Sequence, residues 1–169
     1  MSTLSCGRAF SPTFLFRFDR HRYVSLRLAK GMGNELKAVV ETLGGERTLG
    51  CRVSSDRDLR EAIREGFRHA VLEELMRTSG LTLKELASAL DLSCRSLQRR
   101  RASERLTCYE SDRLYRFARI IAIASDFLGD RERALHWLKR PNRALGGIAP
   151  VADIDTEVGA RQVENILGR

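Results

Sequence analysis

The side chains best suited to binding chemistry lie in a short basic segment near the middle of the chain. Arg95, Gln98 and Arg99 are spaced so that they share one face of a helix, on the side away from Leu97. Basic and amide side chains on such a face are typical of a recognition helix that enters the major groove of DNA. A run of arginines is also typical of a solvated helix face, so this segment alone leaves both interpretations open.

Capping signals place this basic face in a helix-turn-helix. Thr82 and Glu85 form a capping box at the start of a first helix, and Ser93 is a good N-cap for a second one. Asp91 lies between the two helices, where the chain must reverse and where a residue that tolerates the left-handed region is needed. The motif is therefore predicted to span about 82–101. Two capped helices with an apolar inner face also describe any antiparallel helical pair.

Arg100 departs from the usual pattern of this motif. It occupies a late position on the inner face, which is usually apolar. We expect the aliphatic stem of Arg100 to cover the edge of the core, while the guanidinium group reaches solvent or phosphate.

No set of residues indicates catalysis, a metal site or a cofactor. The three histidines are scattered, and the four cysteines show no CxxC spacing, which makes free thiols in a reducing cytosol the expected state. Cys94 lies near arginines at a helix N-terminus, where a thiolate is favoured, but no histidine or carboxylate is placed to act as its base. We therefore predict that the chain is not an enzyme.

Composition favours a globular protein with an anionic partner. The 169 residues are 43% apolar, and 30 Lys and Arg face 22 Asp and Glu, a net charge of +8. Such a surplus favours nucleic acid, an acidic protein surface or anionic lipid. No apolar run approaches the roughly 18 residues of a membrane span, and no signal peptide is evident, so a cytoplasmic location is expected.

The remaining chain reads as helices, so the predicted fold class is all-α. Helices are predicted at about 57–77, 107–128, 131–140 and 155–167, after a short helical turn within 34–50. Thr107 and Glu110 form a second capping box at the start of the helix over 107–128. Asp130 is predicted to cap the next helix, and Asp155 or Thr156 the last one. Gly66 falls inside the first of these and costs about 1 kcal/mol against Ala, which suggests a bend or a packing reason. Trp137 is predicted to lie in the core.

Residues 1–33 do not match the rest of the chain. They carry several arginines against a single acid, Asp19. We predict a flexible leader, or a wrongly assigned start with Met32 as the true one. A basic arm, a short edge strand and a transit peptide are the alternatives.

The C-terminal tail differs in charge from the basic middle. Residues 141–169 contain three arginines and four carboxylates, a net −1. The last helix offers an apolar face of Val158, Val163, Ile166 and Leu167, part of which we expect to be a docking surface for a protein partner.

The spacing of residues in this tail resembles a known family. Residues 134–160 contain the string Trp-Leu…Pro-Asn…Ala-Leu-Gly-Gly…Pro…Asp-Thr-Glu…Gly, and Leu-Gly-Arg follows at 167–169. This pattern resembles the toxin-binding domain of the Xre/MbcA/ParS antitoxins. The helix-turn-helix and residues 106–114 resemble the Xre-type half of the same family. The resemblance covers roughly 43–169.

This resemblance implies two functions. Such antitoxins hold a RES-domain, NAD-consuming toxin inactive, and as homodimers they repress the shared operon on palindromic operator DNA. After the predicted leader (1–33), which lies outside the resemblance, we predict a helix-turn-helix DNA-binding domain (34–129) and a toxin-binding domain (130–169). Contacts to DNA would fall on Ser93, Arg95, Gln98, Arg99, Arg101 and Arg105. Contacts to the toxin would fall on Asn142, Leu145, Asp155, Glu157, Arg161, Glu164 and Arg169.

Two departures from the family pattern affect these expectations. Members often continue past Leu-Gly-Arg with a tail that reaches the active site of the toxin, whereas this chain stops at Arg169. Cys108 replaces a Pro that often follows the capping Thr. The alternative interpretation is a stand-alone helix-turn-helix transcription regulator with a protein-interaction C-terminal domain.

Overall fold

The computed structural model describes residues 32–100 and 105–168. Within these residues the chain forms nine α-helices and two short 3-10 helices, with two isolated backbone bridges and no strand. The α-helices are α1 (Met32–Thr42), α2 (Gly45–Leu49), α3 (Asp56–Glu65), α4 (His69–Ser79), α5 (Leu83–Ala89), α6 (Cys94–Arg100), α7 (Cys108–Leu128), α8 (Arg131–Lys139) and α9 (Glu157–Leu167). The 3-10 helices are η1 (Arg143–Leu145) and η2 (Pro150–Ala152). The all-α prediction is confirmed.

Capping boxes begin three of the helices. In each box a hydroxyl accepts the backbone N–H three residues later, and the carboxylate at that position accepts the N-cap N–H in return. The pairs are Ser55 with Asp58 at α3, Thr82 with Glu85 at α5, and Thr107 with Glu110 at α7. The two boxes predicted from the sequence, at α5 and α7, are confirmed.

The turn of the helix-turn-helix depends on Asp91. Its φ is 49°, and no other residue of the described segments, apart from glycines, has a positive φ. Asp is one of the few residues with a side chain that visits this region at modest cost. The predicted turn between α5 and α6 is therefore confirmed, with Asp91 in the place where such motifs often have glycine.

The predicted continuous helix over 57–77 is wrong. The chain forms two helices, α3 and α4, which are separated at Gly66 with φ 88°. A Cβ atom at Gly66 would lie 2.0 Å from the carbonyl oxygen of Leu106. Phe67 then donates its N–H to the Ser111 hydroxyl at 2.8 Å. The apolar spacing continues across the break because both helices turn their apolar faces to one core.

The core is built around α7, a helix of 21 residues. α7 packs against α1, α3, α8 and α9. One cluster of buried side chains runs from Val39 in α1 to Val163 in α9. Trp137 is half-buried, with its ring packed against this cluster and against a smaller one around Ala134.

The predicted leader lies outside the described residues, apart from Met32 and Gly33, which open α1. The core is continuous from α1 to α9. The domain boundary predicted between residues 129 and 130 therefore stays a prediction. In the described part of the chain, no helix has the length and apolar character needed to cross a membrane.

Candidate functional site

The basic face of the helix-turn-helix belongs to α6. Leu97 is fully buried on its inner side, while Arg95, Gln98 and Arg99 are exposed on the outer side. Among the described residues these three have no hydrogen bond or ion pair with another side chain. Their donors are therefore available to an external acceptor. Ser93 is exposed too, and its hydroxyl accepts the Ser96 N–H at 3.3 Å, while Arg101 lies outside the described residues.

A single buried carboxylate fixes α6 to α7. Glu110 Oε1 accepts the Ser96 hydroxyl at 2.8 Å, and Oε2 accepts the Thr107 N–H at 2.7 Å. Burial acts to raise the pKa of Glu110, but these hydrogen bonds and the nearby Arg100 hold the pKa below its usual range. Glu110 therefore remains charged inside the protein. Its role between the two helices was not predicted, although its place in the capping box was visible in the sequence.

Arg100 differs from its expected orientation. Its Nε lies 3.5 Å from Glu110 Oε2, so the guanidinium group turns towards the protein rather than reaching out to solvent or phosphate. This pairing explains why Arg100 occupies an inner position. An apolar side chain there would leave the buried negative charge of Glu110 without its arginine partner.

Arg105, which follows the recognition segment, is held by the first half of the chain. Its Nη1 donates to the carbonyl of Gly66 at 2.8 Å and lies 3.8 Å from a carboxylate oxygen of Glu65. The backbone of Arg105 also forms an isolated bridge with that of Arg68. The side chain remains half-exposed, so a phosphate contact from this position is compatible with its internal contacts.

The Pro-Asn…Leu-Gly-Gly part of the tail forms a tight loop. Asn142 Oδ1 accepts the Ala144 N–H, and the Asn142 carbonyl accepts the Gly147 N–H, each at 2.9 Å. Gly146 and Gly147 have φ values of 67° and 87°, a conformation that favours glycine. Leu145 is buried in the core, so this predicted toxin contact shapes the loop from inside instead of presenting a side chain to a partner.

The Asp-Thr-Glu…Gly part of the tail begins α9. The Thr156 hydroxyl accepts the Gly159 N–H at 3.1 Å. A Cβ atom at Gly159 would lie 1.7 Å from the carbonyl oxygen of Asp153. The spacing of the motif is therefore explained by folding. Thr156 caps α9, and Gly159 lets the helix approach the preceding turn.

Two arginines of α7 hold α9 in place. Arg119 forms ion pairs with Glu157 at 3.1 Å and with Glu164 at 3.0 Å. Arg116 donates to the carbonyl of Asp155 at 2.8 Å. Burial acts to raise the pKa of Glu157, but Arg119 and the other arginines around it hold the pKa below its usual range.

These contacts give three of the predicted toxin-binding residues an internal role. The Glu164 side chain is only 15% exposed, and Glu157 and the backbone of Asp155 face α7. The arginines responsible were not predicted as functional, although their spacing three apart on one helix was visible. Among the predicted toxin contacts of the described chain, Arg161 is the most exposed, and Arg169 lies outside it.

Apolar side chains also remain on the surface of the tail. Val158 is 77% exposed, so the predicted apolar face of α9 is split: Val163 and Leu167 are buried, and Val158 faces outward. Ile148, at the end of the tight loop, is also about half-exposed.

The geometry defines a class of protein: a helix-turn-helix unit with a free basic face, joined through a shared core to a small helical domain. Family models match both parts. Residues 58–119 match the antitoxin Xre-like helix-turn-helix domain, and residues 124–169 match the antitoxin Xre/MbcA/ParS C-terminal toxin-binding domain.

Curated relatives give the same assignment. The chain is 34% identical over 125 residues to the antitoxin Xre of Photorhabdus laumondii and to that of Yersinia enterocolitica, with 73% of this chain and 84% of each relative covered. It is 34% identical over 116 residues to the antitoxin Xre of Pseudomonas putida, with 68% of this chain and 72% of the relative covered. The chain belongs to the Xre family of antitoxins, which are not enzymes.

Proposed function

We propose that this antitoxin neutralises a RES-domain, NAD-consuming toxin and represses its own operon by binding operator DNA as a homodimer in the cytoplasm. The observation that carries the proposal is that one core supports both a basic recognition face without internal partners and a domain of the toxin-binding family.

The DNA-binding half of the proposal rests on α6. Arg95, Gln98 and Arg99 project from a helix whose opposite side is locked into the core by Leu97. Such a helix positions guanidinium and amide groups against base edges. Ser93, Arg105 and Arg101, which follows α6 in the sequence, are proposed to contact phosphate. One recognition helix reads only a half-site, so binding by a dimer on a palindromic operator is expected.

The toxin-binding half rests on the exposed part of residues 142–169. Arg161, Val158 and Ile148 offer charged and apolar contacts. Asn142 begins the loop that ends at Ile148, and Asp155 precedes the cap of α9. Leu145, Glu157 and Glu164 support this surface from inside. Arg169 is proposed as a contact at the C-terminal end. Blocking a toxin requires only that this surface cover its substrate site, so no catalytic group is needed.

Co-purification and an NAD assay test the proposal. A RES-domain toxin, sought in the reading frame beside the antitoxin gene, is mixed with the full-length chain, and NAD consumption is followed. We expect a stable complex and loss of NAD consumption at stoichiometric antitoxin. A toxin that remains fully active in the presence of excess chain contradicts the proposal.

A stand-alone transcription regulator is the second candidate. It is favoured by one observation: two acidic residues of the tail, Glu157 and Glu164, form ion pairs with α7 and so need no toxin to explain them. This candidate predicts that the chain binds its operator although no RES-type gene lies beside its own. It also predicts that adding a toxin does not change the affinity for the operator.

A further inference from the structure

A basic cleft lies between the end of α7 and the C-terminal end of α8. It has a volume of about 330 Å³. Leu128 and Trp137 form its apolar part, while Arg133, His136 and Arg140 contribute nitrogen groups. No carboxylate of the described residues lines it. None of the predicted toxin contacts except Asn142 borders the cleft.

The rim of this cleft carries positive charge that is only partly compensated. Arg140 is exposed at the C-cap of α8 and has no ion pair with any described residue. The neighbouring Lys139 turns away and donates to the carbonyl of Ser79 at 2.7 Å. Arg133 pairs with Asp130 at 3.0 Å, but both groups are largely exposed, so this pair is weak and open to exchange.

The floor of the cleft is suited to an apolar anchor. Trp137 is half-buried and packs against both clusters of the core, so its ring is rigidly placed while one side remains accessible. Tryptophan and arginine are the residue types that contribute most to binding at protein interfaces, because they combine large apolar area with directional polar groups.

The charge of the chain itself limits what can occupy the cleft. Residues 1–31 carry six Lys and Arg against one Asp, and the recognition face of a second copy is basic as well. Both would meet like charge at Arg133 and Arg140, which disfavours them as occupants. The cleft lies within the segment matched by the toxin-binding family model.

We infer that this cleft is an anchoring site for the toxin, which inserts an apolar side chain against Trp137 and places flanking carboxylates on Arg133 and Arg140. This inference rests on the proposed function, because it names the part of the toxin partner that the domain recognises. It extends the contact surface beyond the loop and α9 onto the face of α8 that carries Arg133 and His136.

Two charge-matched variants of the full-length chain test the inference. The first is Arg133→Glu with Arg140→Glu at the rim of the cleft. The second is Arg60→Glu with Arg64→Glu on α3, where both side chains are exposed. Toxin affinity is measured by isothermal titration with catalytically inactive RES-domain toxin. We expect the rim variant to weaken binding by about 100-fold and the α3 variant by less than about 3-fold.

The sole tryptophan of the chain provides a second measurement. Incorporation of 5-fluorotryptophan gives one fluorine resonance, from Trp137, which is recorded with and without unlabelled toxin. We expect the resonance to shift when toxin binds. In the free rim variant we expect it at the wild-type position, which would show that the cleft remains folded.

The outcomes separate the two proposals. Wild-type chain that does not bind toxin overturns the proposed function. Wild-type binding that both variants retain, or that both weaken equally, overturns the anchoring site alone. An unchanged fluorine resonance in the complex also overturns it.

Discussion

The hydroxyl of Ser96 donates a 2.8 Å hydrogen bond to the carboxylate of Glu110, so the helix proposed to read DNA is tied to the first turn of the central helix α7. The same carboxylate accepts the Thr107 N–H and lies near Arg100. The orientation of α6 therefore depends on a charged group that is almost completely buried.

Glu110→Gln is expected to destabilise the protein by about 1–3 kcal/mol at neutral pH, because hydrogen bonds to a buried charged acceptor are lost or weakened. The folded-state pKa of Glu110 is lowered, so its contribution is complete above the ordinary glutamate pKa of about 4.3 and is lost as pH falls through the folded value. Urea unfolding of wild type and variant from neutral to acid pH measures this. The difference in unfolding free energy should shrink on acidification.

Glu85→Gln is the matched control for this variant. Glu85 occupies the same position in the capping box of α5 but is exposed. A smaller loss of stability is expected there. Equal losses at both positions would show that capping alone, and not the link to α6, explains the effect at Glu110.

Arg119→Ala is expected to loosen α9. The substitution leaves Glu164 largely covered and without its ion pair, at a cost of about 2–3 kcal/mol. Urea unfolding measures the loss in unfolding free energy. Relative to wild type, amide hydrogen exchange should become faster in α9 and change less in α5. Arg57→Ala is the control, because its ion pair with Glu61 is exposed and contributes about 0–1 kcal/mol. Unchanged exchange in α9 contradicts the prediction.

Gly159→Ala is expected to cost about 1–3 kcal/mol, because the added methyl group would collide with the Asp153 carbonyl oxygen. Gly33→Ala offers a control within a helix, since a Cβ atom there meets no atom within 4 Å. The control should be neutral or slightly stabilising, as alanine favours helix. Thermal unfolding compares the two. Similar midpoints for both variants would remove the close approach as the reason for this glycine.

Arg95→Ala with Arg99→Ala tests the recognition face. If an arginine reads a base, its substitution is expected to weaken specific binding by about 1–3 kcal/mol. If it contacts phosphate alone, its substitution is expected to reduce the salt dependence of binding. Operator affinity is measured at several salt concentrations, with Arg60→Ala and Arg64→Ala as a pair of equal charge away from α6. An unchanged operator affinity excludes α6 from the interface.

The elements that could be predicted from the sequence are those specified by neighbours along the chain. The capping boxes at Thr82 and Thr107, the caps at Asp130 and Thr156, and the turn at Asp91 each depend on residues within four positions. The resemblance of the tail added the family, because its spacing is shared with relatives.

The features that were missed depend on residues far apart in sequence. The helix break at Gly66 exists because Leu106, some forty positions later, passes against it. The inward pairing of Glu157 and Glu164 requires Arg119 on another helix. The local sequence identifies Glu157 and Glu164 as charged residues of a helix. It does not show which distant residue forms an ion pair with them.

The two family matches end and begin at residues 119 and 124, both within the single uninterrupted helix α7. The carboxylate that holds α6 and the arginines that hold α9 are therefore borne by one rigid segment. A recombination event that joined this helix-turn-helix to the tail of another antitoxin would have to splice inside that helix and preserve both sets of contacts. A change of partner at one end is therefore constrained by the packing required at the other.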